Sequence, residues 1–376
     1  MNTTHTAASA NTAPERLRFL ELDSLRAVAM LLVIGAHIDM DPLFWVWSMM
    51  DMFFVLSSFL LTRIVYDKCT DARGVIAFYG RRIERIWPLY FLTVSVLFLI
   101  AILINARYQA AVYDLTAFAR LYSFSQYSEM LFHPVGGDST ISYARHLWSL
   151  AIEEQFYVLL PLAILLLRRL PPMLGVALLL GVIAFAIHQR AADANMYILT
   201  SHADAFALGS LMALGFPLLS AHAALAKRLL WMAALLSLGG FAIYLIEGYV
   251  RLFAGQAVPL YAAWPATAST LFWAAAISLL ALYRGHARLA LMRLPWLVYL
   301  GYMSYATYLV HYPVLRLLPN LITARVPGMS VFMAELLCLP LIWLLAHLLY
   351  RRIDRPLQLR RSPDFTGRKP RDAITS

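Results

Sequence analysis

Ten stretches of this chain are apolar over about the 20 residues that a helix needs to cross a hydrocarbon core of roughly 30 Å. They fall at 22–40, 45–62, 87–104, 147–167, 173–189, 197–219, 229–247, 265–283, 296–318 and 329–350. The pattern predicts an all-α fold, a polytopic membrane helix bundle of about ten transmembrane helices. The first stretch, LDSLRAVAMLLVIGAHIDM, carries Arg26 near its start and His37 near its end. Eleven residues at about 100° each come close to three full turns, so the two side chains share one helix face, about 16 Å apart along the axis. An ionisable group inside a membrane helix is costly unless it finds a partner or water, which makes each a candidate functional residue. A snorkelling arginine and a histidine bonded between helices would give the same pattern.

Other polar positions interrupt the apolar runs. Asp51 lies within the second stretch and Ser58 follows on nearly the same face. Asp51 can pair with Arg26, orient His37, or belong to a structural ion pair. In FYGRRIERIWPLYF, Arg82 and Arg85 are three residues apart and lie along one face. Guanidinium forks grip phosphate bidentately, though topology alone also places arginines at a helix entrance. Pro88, after Trp87, marks a helix bend or a helix start. The fourth stretch contains Glu153 and Glu154, of which Glu154 is the more inward. Around the sixth, SHADAFALGSLMALG supplies small residues for close packing, with His202 and Asp204 toward the outside. In the ninth, Ser304, Tyr308 and His311 share one polar face, the pattern of a cavity wall.

Composition sharpens this picture. Of 376 residues, 61% are hydrophobic and 14% charged, where soluble domains carry about 25% charged. The net charge of +10 does not indicate nucleic acid, because most basic residues flank apolar stretches. With the N-terminus in the cytoplasm, 23 of the 31 fall on that side and 7 on the other, Arg26 lying within the first stretch. That bias places both termini in the cytoplasm. Residues 1–20 read as a disordered tail, 21–356 as one membrane domain, and 357–376 as a basic tail near anionic lipid headgroups. The long 105–145 connection faces outside, and its tyrosines read as interface anchors. Cys69 and Cys338 show neither a metal-ligand spacing nor a disulfide framework, and no metal is expected.

Five pieces, in order, resemble the acyltransferase 3 family of membrane acyltransferases. LDSLRAVAMLLVIGAH resembles its Arg–ten residues–His first helix; DMFFVLSSFLL resembles DLFFVLSGFLI, with Ser58 where glycine is usual. RRIERIWPLY resembles its RxxR element and aromatic–Pro turn, HLWSLAIEEQFY resembles WSLSVEEQFY, and SYATYLVHYPV resembles SYSLYLLHWPV. Two weaker matches are SHADAFALGSLMA, with His202 for the usual arginine, and YRRIDRP, with Asp354 for glutamate.

The resemblance implies a membrane-bound O-acyltransferase of the bacterial cytoplasmic (inner) membrane. It would move an acyl group, typically acetyl, from cytoplasmic acyl-CoA to a hydroxyl of a carbohydrate or lipid-linked glycan. Acyl-CoA would be a donor substrate, with no permanently bound cofactor and no nucleic-acid partner. Carried onto this chain, His37 is the expected base and Arg82 and Arg85 the expected holders of the CoA phosphates. The residues themselves add Arg26, to hold the CoA or a carboxylate, and Asp51 or Glu154, to fix the tautomer of His37, as catalytic candidates, and Trp87, Ser58, Tyr308 and His311 as further donor-side candidates. Ser57, Ser58 and Tyr308 are candidate donors to an oxyanion. A rival reading is a proton-coupled exporter of a polar or lipid-linked substrate, since buried His, Arg and Asp suit that function too. No internal repeat is evident to support it.

Overall fold

The computed structural model describes residues 19–38, 41–108, 115–125, 142–192, 195–256 and 263–360. Most of the expected N-terminal tail, much of the 105–145 connection and the chain after 360 lie outside them. Among the described residues there is no strand. All ten expected spans are helical: α1 (Leu20–His37), α2 (Ser48–Lys68), α3 (Ala72–Tyr108), α5 (Trp148–Leu167), α6 (Pro172–Ala192), α7 (Ala203–Ala221), α8 (Ala223–Phe253), α9 (Ala263–Leu282), α10 (Pro295–Thr323) and α11 (Val331–Leu349). The short α4 (Leu115–Tyr122) follows α3, and a π-helical turn, Tyr350–Asp354, joins α11 to α12 (Arg355–Arg360).

Among the described residues, eight helices are long and apolar enough to cross a membrane. The other two expected spans, α1 and α10, are helical but fall short on this measure of length and composition. The reason is chemical. Glu21, Asp23 and Arg26 crowd the start of α1, and α10 carries tyrosines, His311 and Arg316 along an otherwise apolar helix. These two helices pack along each other. A Cβ at Gly301 of α10 would overlap the carbonyl oxygen of Asp23 in α1, so a glycine there lets the backbones touch. With His37 also meeting His311, α1 and α10 run parallel.

A correction concerns α3: Pro88 lies inside one continuous helix, not at a helix start. Membrane helices tolerate proline where their neighbours satisfy the freed backbone. Arg82 and Arg85 therefore stand on a helix, in rigid register with Trp87.

Burial separates inner from outer helices. Over their apolar windows α2 and α9 are 56% buried, whereas α8 is 22% and α6 is 11% buried. α2 packs along α7, where Gly209 seats against Ser58 and Val55. α6 and α8 present apolar faces outward, as lipid-facing helices do.

Candidate active site

The α1–α10 seam collects two groups of polar side chains at different heights. Toward the end of α1 is a histidine cluster. His37 lies 5.2 Å from His311 and 4.8 Å from Tyr312, ring centroid to ring centroid. His146, from the 3-10 turn Ser142–Leu147, stacks on Tyr312 at 5.1 Å and meets His311 edge-on at 5.3 Å. His311 is fully buried, while His37 is partly open.

The tautomers follow from the partners. His37 Nδ1 lies 2.8 Å from the Val33 carbonyl, which can only accept, so Nδ1 carries the proton. Neutral His37 then has its lone pair on Nε2, the arrangement of a general base. His311 Nδ1 is held the same way by the Tyr308 carbonyl at 2.7 Å, and its Nε2 has no hydrogen-bond partner. Backbone carbonyls fix these imidazoles, not the expected carboxylates.

Tyr308 closes this cluster from α10. Its hydroxyl donates to the His146 carbonyl and accepts from Ser149 Oγ at 2.7 Å. Of the other candidate oxyanion donors, Ser57 donates to Glu153 at 2.9 Å and Ser58 donates to the Val55 and Ala205 carbonyls. All three hydroxyl protons are committed in this structure.

About 16 Å back along α1, by the helical rise, lies the second group. Arg26 pairs with Asp23 at 3.2 Å and interacts electrostatically with Arg85 and Glu153. Arg82 stands over the Tyr157 ring, 6.0 Å from its centroid, within the fields of Arg85 and Glu154. Glu153 accepts from Ser57 and from Tyr157. Glu154, the more buried of the two as expected, accepts from Trp87 Nε1 at 3.3 Å. The π-helical turn brings the buried Asp354 within the field of Arg85. Among the described ion pairs none includes Arg82 or Arg85, and Arg82 Nε has no partner. Tyr305, bonded to the Ile86 carbonyl at 2.7 Å, ties α10 to α3 at this height.

Other candidates stand elsewhere. Asp51 meets neither Arg26 nor His37; it pairs with His202 Nδ1 at 3.1 Å. His202 and Asp204 are buried, and Arg190, counted by the charge pattern among exterior residues, is buried with them. Arg190 grips Asp204 bidentately at 2.7 Å through each nitrogen, and also donates to the Ser201 carbonyl and to Thr267. Ser58 faces α7, away from both groups. The sequence reading passed over His146, Tyr312 and Glu153 as site residues. An ionisable group directly before the LWSLAI run was the available signal for His146.

Known proteins resemble the chain in the same terms. A family model described as an acyltransferase domain, acyltransferase 3, matches residues 19–348. O-acetyltransferase OatA of Staphylococcus aureus strains NCTC 8325, COL and MRSA252 is 26% identical to it over 359 residues, covering 90% of this chain. The chain spans 57% of the length of those relatives. No solved structure matches it. With the family match running across nearly every described helix and including the histidine cluster and Arg26, Arg82, Arg85, Glu153 and Glu154, this multi-pass membrane chain belongs to the acyltransferase 3 family.

Proposed function

We propose that the chain is an O-acyltransferase that moves an acyl group, acetyl by preference, from acyl-CoA to a hydroxyl of a carbohydrate or lipid-linked glycan. The observation that carries this is the state of His37, a partly open imidazole whose proton is pinned to the Val33 carbonyl and whose Nε2 lone pair is left for substrate. A fixed base of this kind needs an alcohol to deprotonate and an acyl donor to receive it.

In this reading the donor enters at the arginine end. Arg82 and Arg85, in no ion pair among the described residues, bind its phosphates, with Glu154 and Asp354 within their fields. The pantetheine arm, extended, covers the rise from there to His37. The acceptor oxygen attacks the thioester carbonyl carbon as His37 Nε2 takes its proton, and the C–S bond breaks. His37 then returns that proton to the departing thiolate. The setting is the bacterial cytoplasmic membrane, with donor arriving from the cytoplasm.

The test uses the purified chain in detergent with labelled acetyl-CoA and candidate glycans. Covalent transfer of label without any second compartment supports the enzyme. Uptake of substrate into vesicles with no acylated product would establish the exporter instead.

A further inference from the structure

One turn beyond the histidine cluster on α10, Arg316 lays its guanidinium over the Tyr312 ring, 5.1 Å from the centroid. Tyr312 is the ring that meets His37 edge-on. Arg316 is exposed, and none of the described ion pairs includes it. It stands at the end of the α1–α10 seam opposite Arg26, Arg82 and Arg85.

The surroundings of His37 give this arginine its meaning. The groups facing it are His311 and Tyr312 from α10, with His146 beyond them from the 3-10 turn. Among the described residues no carboxylate acts on His37, and the charge that does is Arg316. Asp51, the acid expected to orient it, is held by His202. A base that takes a proton here becomes a cation beside another cation.

We propose that the acceptor supplies the missing anion. Arg316 binds a carboxylate or phosphate on the acceptor, and the neighbouring hydroxyl of that same molecule meets His37 Nε2. The inference rests on the acyl-transfer reading and narrows its acceptor to acidic hydroxyl compounds, such as uronic acids or sugar phosphates. The bond changes are those already given; Arg316 only binds, and the anion it holds offsets the imidazolium that forms as the alcohol proton arrives. The guanidinium fork suits a planar carboxylate or a phosphate, and stacking on Tyr312 fixes its plane. A lipid headgroup phosphate offers the same chemistry, so the experiment separates the two sources.

The full chain, purified in neutral detergent with acetyl-CoA, is given two matched acceptors, methyl glucoside and methyl glucuronide. The wild type should favour the acid by about tenfold or more in kcat/KM, the scale of one charge-assisted contact. Arg316→Gln should bring that ratio near one, and Arg316→Lys, which keeps the charge without the fork, should retain part of it. If Arg316→Gln does not accumulate, the lysine variant decides: a lower ratio supports the proposal and an unchanged one overturns it. A wild type without preference, or a preference equal in Arg316→Gln, also overturns it. Repeating the assay in phosphatidylglycerol micelles tests the lipid source. If Arg316→Gln alters lipid retention and not the ratio, the arginine serves a headgroup and the inference falls. A wild type that acetylates both acceptors equally defeats this inference alone. One that acetylates neither of these acceptors, nor any glycan in the labelled-transfer assay, defeats the acyl-transfer reading and this inference with it.

Discussion

Arg190 with Asp204 and Arg82 with Arg85 both place guanidinium groups among packed helices, yet they are finished differently. Arg190 is buried and bidentate, and its other donors reach Ser201 and Thr267, so it ties α6, α7 and α9 together. Beside it Asp51 holds His202, whose ring stacks on Trp148 at 5.7 Å. Along the α1–α10 seam the same residue types stop short of closure. Among the described residues Arg82 and Arg85 make no salt bridge, and His311 Nε2 has no partner. Burying a charge costs several kcal/mol unless partners answer it. Among the described residues the first network pairs its charged groups, although one carboxylate oxygen of Asp51 also lacks a partner; such pairing ties a bundle, while guanidinium groups outside any ion pair remain able to meet a ligand.

The sharpest way to break that contrast is to remove one group from each region. His37→Gln should cut acyl transfer by about 10²–10⁴-fold, the usual worth of a general base, with donor binding retained. Acyl transfer within tenfold of wild type, measured on folded protein, would take His37 out of the chemistry. Asp204→Asn should act on the fold instead, leaving the Arg190 charge buried without its partner at a cost of about 3–5 kcal/mol. Thermal unfolding in detergent reads this loss. A variant as stable as wild type but inactive would make the closed network part of the site.

Smaller effects sharpen the open region. Arg82→Gln and Arg85→Gln should each raise the KM for acyl-CoA by about tenfold, the loss of one charge-assisted contact. The rise should be salt-sensitive, and the acceptor KM should stay put. A change confined to the acceptor KM would transfer these arginines to the other substrate.

What the sequence revealed divides along the same line. Apolar length and helical period located every long helix and put Arg26 and His37 on one face, because both signals are local to a single helix. The partners were not legible. Asp51 binding His202 depends on how α2 is rotated against the turn before α7, and no spacing within one helix encodes that rotation. The Val33 carbonyl as the lock on His37 was overlooked because backbone groups leave no mark on composition. His146 reaches the site only because the turn before α5 folds under α10. The burial of Arg190 was illegible for a related reason: a charge count assigns an arginine to a side of the membrane and says nothing of whether it turns inward, as this one does to Asp204.

Ser58 offers the finest test of the contrast, since the sequence placed it with the donor and the structure places it in the α2–α7 packing. Its hydroxyl spends its proton on the Val55 and Ala205 carbonyls, and Gly209 of α7 lies directly against it. Ser58→Gly restores the residue usual at this place in the family. It removes one weak interhelical hydrogen bond and leaves a gap of a few atoms, so stability should change by less than about 1 kcal/mol. The donor KM should stay within twofold of wild type, because the Ser58 hydroxyl is spent on the Val55 and Ala205 carbonyls. A tenfold rise in that KM would show that α2 shapes the donor path from behind, and the division between closed and open polar regions would then need to be redrawn through α2.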